Sequence, residues 1–469
     1  MSKSLLPGLL TLLLGSGCSL IPALPEKQPP IPAAWNEVKG LEKAEPLPAD
    51  AATPQLPWRQ FYRHPVWQEL IETALRHNRD LQAAVARMGQ AKALLGISTA
   101  ARLPSVQANL LHQENRTPAE LAQSGKATVS SRDDLQLALP AFELDFWGRL
   151  NALQQEAKAT FLANEAAVQA VRTLLIAQVA EAWINWREAA ERSLLARQRL
   201  DVQQTLQQLV ADRQQAGIAT AQSHWQAVLA TQGAQAELAE SQRQEGAAHH
   251  ALQLLTGHNW DAERHWPLLE EVVLSDTLPI DLPAQTLAAR PDVRAAEYRL
   301  QAANAHIGAA RAAFWPRITL TSSLGLASAG LQGLFAGGAS AWSFLPSLEL
   351  PIFDAGRRAF AQEAAEAEQR ALLAEYEKVI QQAFREAADG LQARNVLRQQ
   401  LQALQNSQQA QLARLQLLQE RFTVGVDSKL ELLNQQLALY SSEQQLRSAE
   451  RQLLVNQAML YKALGGGVN

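Results

Sequence analysis

Cysteine and methionine are nearly absent from this chain, which has one cysteine, Cys18, and three methionines among 469 residues. A single cysteine excludes an internal disulfide and any site built on a cysteine pair. With so few sulfur ligands, the sequence also shows no relay for a soft metal ion. We therefore expect neither a disulfide scaffold nor a thiolate metal centre.

A strong charge of either sign is also missing, because 42 Lys and Arg residues face 46 Asp and Glu residues, for a net charge of −4. Nucleic-acid binding needs a concentrated basic surface, and this composition gives no indication of one. Attraction to a membrane surface through a basic patch is likewise unsupported. Nucleic acid is therefore not an expected partner.

Catalytic signatures are absent too: the sequence has no Gly-x-Ser-x-Gly, no His-Glu-x-x-His and no Walker-type phosphate loop. The glycines between positions 325 and 338 lack a following Lys-Ser/Thr, which predicts a barrel loop or a strand kink. Four histidines lie close in sequence without cysteines or well-spaced acids, so we expect surface residues near a helix end rather than a metal site; they are His249, His250, His258 and His265. The chain is not expected to be an enzyme or to hold a cofactor or a metal.

Proline is missing from two long intervals. Gly148 and Gly217 lie 69 positions apart, as do Gly356 and Gly425, and both intervals are rich in the strong helix formers Ala, Gln, Leu, Glu and Arg. Each interval predicts a helix of roughly 100 Å, given a rise of about 1.5 Å per residue. Helices of that length need a partner along their course, which indicates coiled-coil-like packing.

The two halves of the chain are copies of one another. Residues 80–104 align without gaps on residues 292–316, an offset of 212, with ten of twenty-five positions identical. Further on the offset is 208, which pairs Arg213 with Arg421 and Gly217 with Gly425. A period near 210 residues is too long for a solenoid unit, so it indicates a duplicated domain-sized module.

Each repeat also contains two segments of alternating polarity between its first and second helical stretches. Apolar residues at alternate positions fit a strand that contacts lipid on one face and water on the other, although a soluble half-buried sheet has the same local pattern. Strand lengths suited to a tilted bilayer crossing and nearby aromatic residues favour the membrane. The apolar positions are Val106, Ala108, Leu110, Leu135, Leu137 and Leu139 in the first repeat, and Ile318, Leu320, Leu348, Leu350 and Ile352 in the second.

Four strands are too few to close a barrel, since small membrane barrels begin at about eight strands. A chain that supplies four must therefore associate with copies of itself to cover its edges. A dimer would give eight strands around an interior filled by side chains, whereas a trimer gives twelve strands around a lumen. We predict a homotrimer.

The N-terminus has the pattern of an export signal. An apolar run over residues 5–14 is too short to span a bilayer and predicts a cleaved segment, residues 1–17. Cys18 is then either an unremarkable cysteine of the signal or, as we favour, the acylated first residue of a lipoprotein. Gly15 stands where leucine is commonest in such signals, and Ser19 matches sorting to the outer membrane.

Nine prolines lie between Pro22 and Pro57, which excludes regular helix and central strand there. Residues 18–57 are expected to form an extended tether that lets a lipid anchor sit away from the body, with a disordered linker as the alternative. Repeat 1 then covers residues 58–278 and repeat 2 residues 279–467.

The element order resembles that of the TolC superfamily, because a helix, two strands, a long helix and a further helix occur twice. The sequence is closest to the lipoprotein branch of that superfamily, typified by OprM and NodT. The resemblance covers nearly the whole chain from Cys18 onward. The segments that carry it are Glu143-Leu144-Asp145-Phe146-Trp147-Gly148-Arg149, Arg290-Pro291-Asp292, Asn304-Ala305-His306-Ile307-Gly308-Ala309-Ala310-Arg311-Ala312-Ala313-Phe314-Trp315-Pro316, Pro351-Ile352-Phe353 and Tyr461-Lys462-Ala463-Leu464-Gly465-Gly466-Gly467.

The resemblance implies a mixed α/β membrane protein: a trimeric outer-membrane channel with a twelve-stranded β-barrel and a periplasmic barrel of twelve helices. Its expected function is the exit duct of a tripartite efflux system, fed by a periplasmic membrane-fusion adaptor and an inner-membrane pump of RND type. Two alternatives remain, a type I secretion exit duct and a periplasmic coiled-coil lipoprotein without a pore. The amphipathic strands disfavour the second alternative, and the transported substrates cannot be read from the sequence.

The turns after the two long helical stretches are the candidate docking tips. Glycine is a common cap at a helix C-terminus, and Ser428 with Glu431 predicts a capping box for the next helix. The resemblance adds that these turns match a Val-Gly-Leu-type motif that meets the adaptor. The expected docking residues are Gly217, Ile218, Gly425 and Val426.

The two tips differ at one chemically important position, where repeat 1 has Ala219 and repeat 2 has Asp427. A trimer would carry three such carboxylates at the end of the tunnel, and Arg421 is the nearest cation in sequence. We expect Asp427 and Arg421 to form a gate, because a ring of acids focuses cations. The alternative is that Asp427 only caps the following helix near its positive dipole end.

Overall fold

The computed structural model describes residues 19–25, 57–272, 274 and 284–466. The predicted signal peptide, Cys18 and most of the predicted tether lie outside these residues. The chain divides into two compact units, each made of three segments. Unit 1 consists of Met1–Lys27, Arg87–Asn164 and Ala295–Tyr376, and unit 2 of Gln28–Ala86, Glu165–Arg294 and Glu377–Asn469.

The predicted element order occurs twice. Two short helices come first, α1 (Trp58–Phe61) and α2 (Pro65–His77). Repeat 1 continues with α3 (Arg79–Ala100), β1 (Gln107–Thr117), β2 (Thr128–Glu143), α4 (Arg149–Gln215) and α5 (Ala221–Thr256). Repeat 2 has α6 (Pro291–Ala312), β3 (Arg317–Ser328), β4 (Ser340–Glu349), α7 (Arg357–Thr423) and α8 (Lys429–Ala463).

The proline-free intervals form the two long helices, as predicted. Helices α4 and α7 each contain 67 residues. Both begin directly after a glycine in the left-handed region, Gly148 with φ 72° and Gly356 with φ 86°, a conformation that costs other residues steric strain. The first turn of α4 is capped by Asp145, whose carboxylate accepts hydrogen bonds from the backbone N–H groups of Leu150 and Asn151.

One helix of the described residues, α4, contains a stretch that is long and apolar enough to cross a membrane by composition alone. Within the protein 56% of that stretch is buried. Because the core helix of a soluble region passes the same test, this stretch is only weak evidence for a membrane span.

The four strands form one antiparallel sheet in unit 1, in the order β1-β2-β3-β4. The register places Ala108, Leu137, Leu324 and Trp342 in a single row across the sheet. Alternate positions along each strand share a face, so this row belongs to one apolar face, which confirms the predicted alternation. Strands β1 and β4 each have one neighbour in this sheet, and both outer edges are therefore open.

A bulge interrupts β2 between Leu139 and Phe142. Pro140 has no N–H for the ladder, and Ala141 takes a left-handed φ of 40° while its N–H donates to the Thr321 hydroxyl at 3.2 Å. Strand β4 is shorter than predicted, because it ends at Glu349 instead of continuing to residue 352. Glu349 pairs with Arg317, the first residue of β3, so β3 offers no partner for position 350 and beyond.

In each repeat a hydrogen bond joins the start of the first long segment's helix, α3 or α6, to the end of the last helix, α5 or α8. The Asn78 amide, just before α3, donates to the Leu255 carbonyl at the end of α5, at 2.9 Å. Its counterpart Arg290, just before α6, donates through Nη1 to the Ala463 carbonyl at the end of α8, also at 2.9 Å. Each repeat thus fixes the start of its first helix to the end of its last helix and satisfies a carbonyl that the helix end leaves unpaired.

The aromatic core of unit 2 lies where the short helices α1 and α2 meet the long helices. Phe61 stacks on Tyr461 with ring centroids 4.4 Å apart, and Trp67 meets Trp183 edge-on at 4.7 Å. All four rings are at most 1% exposed. Burying side chains of this size contributes roughly 1.5–3 kcal/mol each, so α1 and α2 are integral to the fold.

The first described residues of the predicted tether, 19–25, do not stand away from the body. The Asn304 amide on α6 donates to the Pro22 carbonyl at 2.8 Å. Residues 19–25 of the predicted tether therefore lie against α6, and the position of the anchor itself stays a prediction. A proline carbonyl still accepts hydrogen bonds, so the absence of regular structure did not prevent docking.

Candidate functional site

The two hairpin tips have the same backbone network. At the first tip, Gly217 has φ 74°, and the Arg213 carbonyl accepts from the N–H groups of Ile218 and Ala219 at 2.8 and 3.1 Å. At the second tip, Gly425 has φ 78°, and the Arg421 carbonyl accepts from Val426 and Asp427 at 2.9 and 3.4 Å. Left-handed glycine with a bond back across the last turn is a helix C-cap.

Each return helix begins with a hydroxyl cap. The Thr220 hydroxyl accepts from the Ser223 N–H at 3.1 Å at the start of α5, and the Ser428 hydroxyl accepts from the Glu431 N–H at 3.2 Å at the start of α8. The side-chain half of the predicted capping box is therefore present. Because Ser428 performs this role, the helix does not need Asp427 as its cap.

The Asp427 carboxylate is engaged by Arg421. Nε of Arg421 lies 2.6 Å from Oδ2 and Nη2 lies 3.1 Å from Oδ1, a two-point pair across the turn. Hydrogen bonding to this guanidinium holds the pKa of Asp427 below its ordinary value. The carboxylate therefore stays charged throughout the neutral and mildly acidic range.

The tips expose apolar side chains and leave open space around the glycines. Ile218, Val424 and Val426 are 68%, 74% and 61% exposed. A Cβ added at Gly217 or Gly425 would meet nothing within 4 Å. Exposed apolar residues on a rigid turn are typical of a docking surface, although singly exposed ones are common on any protein.

Apolar residues also cover one face of the sheet. In a single row of this face Leu137 is 57% exposed, Leu324 66% and Trp342 77%, and Leu348 further along is 64% exposed. Such a continuous apolar surface is unfavourable in water and suits lipid. Towards the β1-β2 connection the same face becomes polar, where His112 contacts Asp133 at 2.8 Å.

The ends of the strands nearest the helices carry an aromatic and ionic cluster that the sequence did not predict as a unit. Trp147 stacks on Trp315 at 4.6 Å, and its indole N–H donates to the Pro316 carbonyl at 2.8 Å. Glu143 accepts from Arg149 at 2.7 and 2.8 Å and lies 2.8 Å from Arg317. Tryptophans at this level are typical of the membrane–water interface.

The four histidines do not form a common site. His258 and His265 are exposed, whereas His249 is half-buried and stacks on Trp186 at 4.7 Å, so the prediction of a surface residue is wrong for His249. Within the described residues no group of three His, Cys, Asp or Glu side chains is arranged to hold a metal ion. Helical spacing placed His249 on the packed side of α5, which its sequence neighbours did not reveal.

These features define an outer-membrane channel subunit: a lipid-facing sheet joined to helices of exceptional length, with repeated tips. The family model described as "Outer membrane efflux protein" matches residues 70–258 and 282–466. The chain therefore belongs to the outer membrane efflux protein family and has the TolC-like fold of such channels.

Curated relatives match along the whole chain. The toluene efflux pump outer membrane protein TtgC of Pseudomonas putida is 36% identical over 467 residues, covering 100% of this chain and 96% of that protein. Outer membrane protein OprJ of Pseudomonas aeruginosa is 36% identical over 461 residues, covering 98% and 95%. The open state of the Neisseria gonorrhoeae MtrE outer membrane channel superposes with a TM-score of 0.83 at 31% identity, covering 96% and 99%.

The prediction of an outer-membrane efflux channel without enzymatic activity is thereby confirmed. The alternative of a coiled-coil lipoprotein without a pore is wrong, because the four strands present a continuous apolar face.

Proposed function

We propose that three copies of this chain close into one channel that carries small apolar and amphiphilic molecules across the outer membrane. The observation that carries the proposal is the open four-stranded sheet with one lipid-suited face. In a bilayer an unpaired strand edge costs several kcal/mol for each unsatisfied group, so β1 and β4 need partners. Twelve strands leave a lumen, whereas eight do not.

The helices support the same assembly through a comparison of the two repeats. Within one chain Leu433 of α8 is packed in one cluster with Leu206 and Val210 of α4. Trp225 of α5, which corresponds to Leu433 at the offset of 208, is 64% exposed. On α7 the residue that corresponds to half-buried Leu209 is Leu417, which is 55% exposed.

Both return helices pack on α4, α5 through Ala227 and α8 through Leu433, but the face of α5 that carries Trp225 is exposed while the corresponding face of α8 is covered by repeat 1. The exposed face of α5 corresponds to the face of α8 that packs on α4. The exposed face of α7 corresponds to the face of α4 on which α8 packs. Head-to-tail contacts of this kind close into a ring when the rotation between copies permits. We expect α5 of one copy to pack on α7 of the next.

Disulfide trapping tests this assembly. In a Cys18→Ala background, cysteines replace Trp225 and Leu417 in one variant, and Leu433 and Leu209, the corresponding positions inside the chain, in a matched control. Mild oxidation is expected to join separate chains into dimers and trimers in the first variant and to close a loop within one chain in the control. A first variant that stays monomeric on a non-reducing gel contradicts the ring.

The transport role follows from the family and from the tips. We propose that Gly217, Ile218, Gly425 and Val426 meet a periplasmic adaptor, which links the channel to an inner-membrane pump of RND type. TtgC is named for toluene efflux, and a set of related proteins is named for solvents and antibiotics. Solvents and amphiphilic antibiotics are therefore the proposed substrate class.

Deletion of the gene tests the transport role. A strain without this chain is expected to become sensitive to toluene and to several antibiotics, and plasmid expression is expected to restore resistance. A type I secretion duct would instead lose export of a protein substrate, so culture supernatants are compared in the same strains. Loss of a secreted protein with unchanged resistance would favour the secretion role.

We also propose that Cys18 is acylated and anchors the channel in the inner leaflet of the outer membrane. The export signal, the cysteine and Ser19 support this proposal, although Cys18 lies outside the described residues. Acyl chains alone give reversible attachment, so the sheet is the main membrane anchor. Mass spectrometry of the N-terminal peptide tests the modification, and an unmodified Cys18 in the mature protein contradicts it.

A further inference from the structure

The N-terminal residues 19–25 are bound to a specific place on α6. A Cβ added at Gly308 would lie 2.5 Å from Cγ1 of Ile21 and 3.0 Å from its Cα. Because Gly308 has no side chain, the backbone of Ile21 can lie directly against α6 at this position. One turn earlier on α6, the Asn304 amide donates to the Pro22 carbonyl at 2.8 Å, and Asn304 is 4% exposed.

Asn304 is itself held in position. Its carbonyl oxygen accepts a hydrogen bond from Gln369 of α7 at 2.5 Å. The amide therefore has a fixed orientation, with its N–H groups directed at the segment and its oxygen at α7. A buried amide with both ends satisfied is a specific contact, because loss of either partner leaves a buried polar group unpaired.

The duplication supplies a natural comparison. Gly96 on α3 corresponds to Gly308 at the offset of 212, and a Cβ added there meets nothing within 4 Å. Lys92 corresponds to Asn304 and is exposed. Both repeats retain the glycine, but among the described residues the amide and the bound segment occur only in repeat 2, so the site is a feature of repeat 2.

The direction of the segment is fixed by these two contacts. Ile21 lies at Gly308 and Pro22 at Asn304, so the segment runs antiparallel to α6. Leu20 and Ser19 therefore lie towards the C-terminal end of α6, which leads into β3. Ser19 is two residues earlier and reaches at most about 7 Å, close to the roughly 6 Å from Gly308 to the end of α6 at Ala312.

We propose that residues 19–25 form a docked strap, and that Gly308 and Asn304 are its binding site, which holds the N-terminus of the mature chain beside the membrane strands. The docking does not depend on acylation. Its consequence, a fixed depth at which an acyl chain enters the bilayer, rests on the proposed modification of Cys18.

Hydrogen exchange tests the docking in the assembled channel. The amides of residues 20 and 21, which are half-buried against α6, are expected to exchange about tenfold or more slowly than in an unfolded peptide, as in other docked segments. Gly308→Leu is expected to remove this protection, and the matched variant Gly96→Leu to leave it unchanged. Asn304→Lys, which copies repeat 1, is the second disrupting variant if Gly308→Leu fails to fold.

A second measurement tests where the strap leads, without any acyl group. In a Cys18→Ala background, Ser19→Cys is labelled with a fluorophore and the channel is placed in nanodiscs that contain brominated lipid. The label is expected to be quenched, and Gly308→Leu is expected to abolish the quenching. An unprotected strap, protection insensitive to Gly308→Leu, or an unquenched label overturns the proposal, whereas loss of Cys18 acylation alone leaves all three readouts intact.

Discussion

Arg421 holds Asp427 across the second hairpin tip through two hydrogen bonds, at 2.6 and 3.1 Å. The two residues are only six positions apart, and the Arg421 carbonyl also accepts a hydrogen bond from the backbone N–H of Val426. The tip of repeat 2 is thus fixed by side-chain and backbone contacts of the same arginine. Its counterpart Arg213 makes the backbone contacts without a carboxylate opposite it, because position 219 is alanine.

Asp427→Ala is expected to raise single-channel conductance, weaken cation preference and sensitise cells to large antibiotics. In the proposed trimer three carboxylates at the end of the tunnel would attract cations, and three Arg421–Asp427 pairs would restrict the motion of the tips. Thermal stability is expected to change little, because the pair is exposed and such pairs contribute little. Planar-bilayer recordings and a melting curve check this. A less stable trimer with unchanged conductance would return Asp427 to a structural role.

The pH dependence of the same pair has a definite sign. Hydrogen bonding to Arg421 depresses the pKa of Asp427 in the folded state. The pair is therefore fully present above the unfolded pKa of about 3.9 and is lost only as pH falls through the lower folded value. Conductance is expected to be constant from pH 8 to about pH 5, with opening only in stronger acid.

Gly217→Trp and Gly425→Trp are each expected to abolish efflux without a change in trimer yield. A side chain at either glycine meets nothing in this chain, so a loss of transport reports an external partner. The left-handed backbone costs about 1 kcal/mol for a non-glycine residue, and asparagine tolerates it best. Gly217→Asn and Gly425→Asn are the controls for backbone strain. Normal drug resistance in both tryptophan variants would refute docking at the tips.

Much of the fold could be predicted from local sequence patterns. Two proline-free intervals between matched glycines predicted α4 and α7, since their interiors contain only strong helix formers. Alternation predicted the strands because one face meets lipid. The end of β4 was wrong by three residues, because the alternation continues past Glu349, whose partner Arg317 is the first residue of β3.

Long-range contacts could not be predicted in the same way. Arg290 reaches Ala463 across 173 residues, and nothing in either neighbourhood indicates the pair. The Arg421–Asp427 contact could be predicted from the sequence because both residues belong to one turn. The strap was missed because a proline-rich composition excludes helix and strand but does not exclude docking by carbonyl groups.

Cys18→Ala behind a cleavable signal is expected to reach the outer membrane and to retain partial transport. The lipid-facing sheet supplies most of the membrane affinity, while an acyl chain adds reversible attachment. Membrane fractionation and drug-resistance assays check the two parts of this expectation. A variant found entirely in the soluble periplasmic fraction would contradict the barrel as the main anchor.

Arg290→Ala is expected to destabilise the chain by about 3 kcal/mol, since it removes a buried guanidinium and leaves the Asp292 carboxylate and the Ala463 carbonyl without this partner. Arg290 is 3% exposed and contacts Asp292 and Glu386 as well as the Ala463 carbonyl. The counterpart Asn78→Ala removes two neutral contacts, with the Leu255 carbonyl and the Leu81 N–H, and is expected to cost less, about 1–2 kcal/mol. Denaturant unfolding compares the two, and equal losses would contradict the dominant role of charge at Arg290.

Ala219→Asp is expected to build a second ion pair, between position 219 and Arg213, and to make the closed channel tighter. The backbone of the first tip already matches that of the second, because the Arg213 carbonyl accepts from Ile218 and Ala219 as the Arg421 carbonyl accepts from Val426 and Asp427. A carboxylate at position 219 is therefore placed within reach of the Arg213 guanidinium. Resting conductance is expected to fall and cation preference to rise, the reverse of Asp427→Ala. In the double variant Ala219→Asp/Arg213→Ala the added acids lack their partner, so cation preference is expected to remain high while the tighter closure disappears. Unchanged conductance in Ala219→Asp would show that ion pairs at the tips do not control closure.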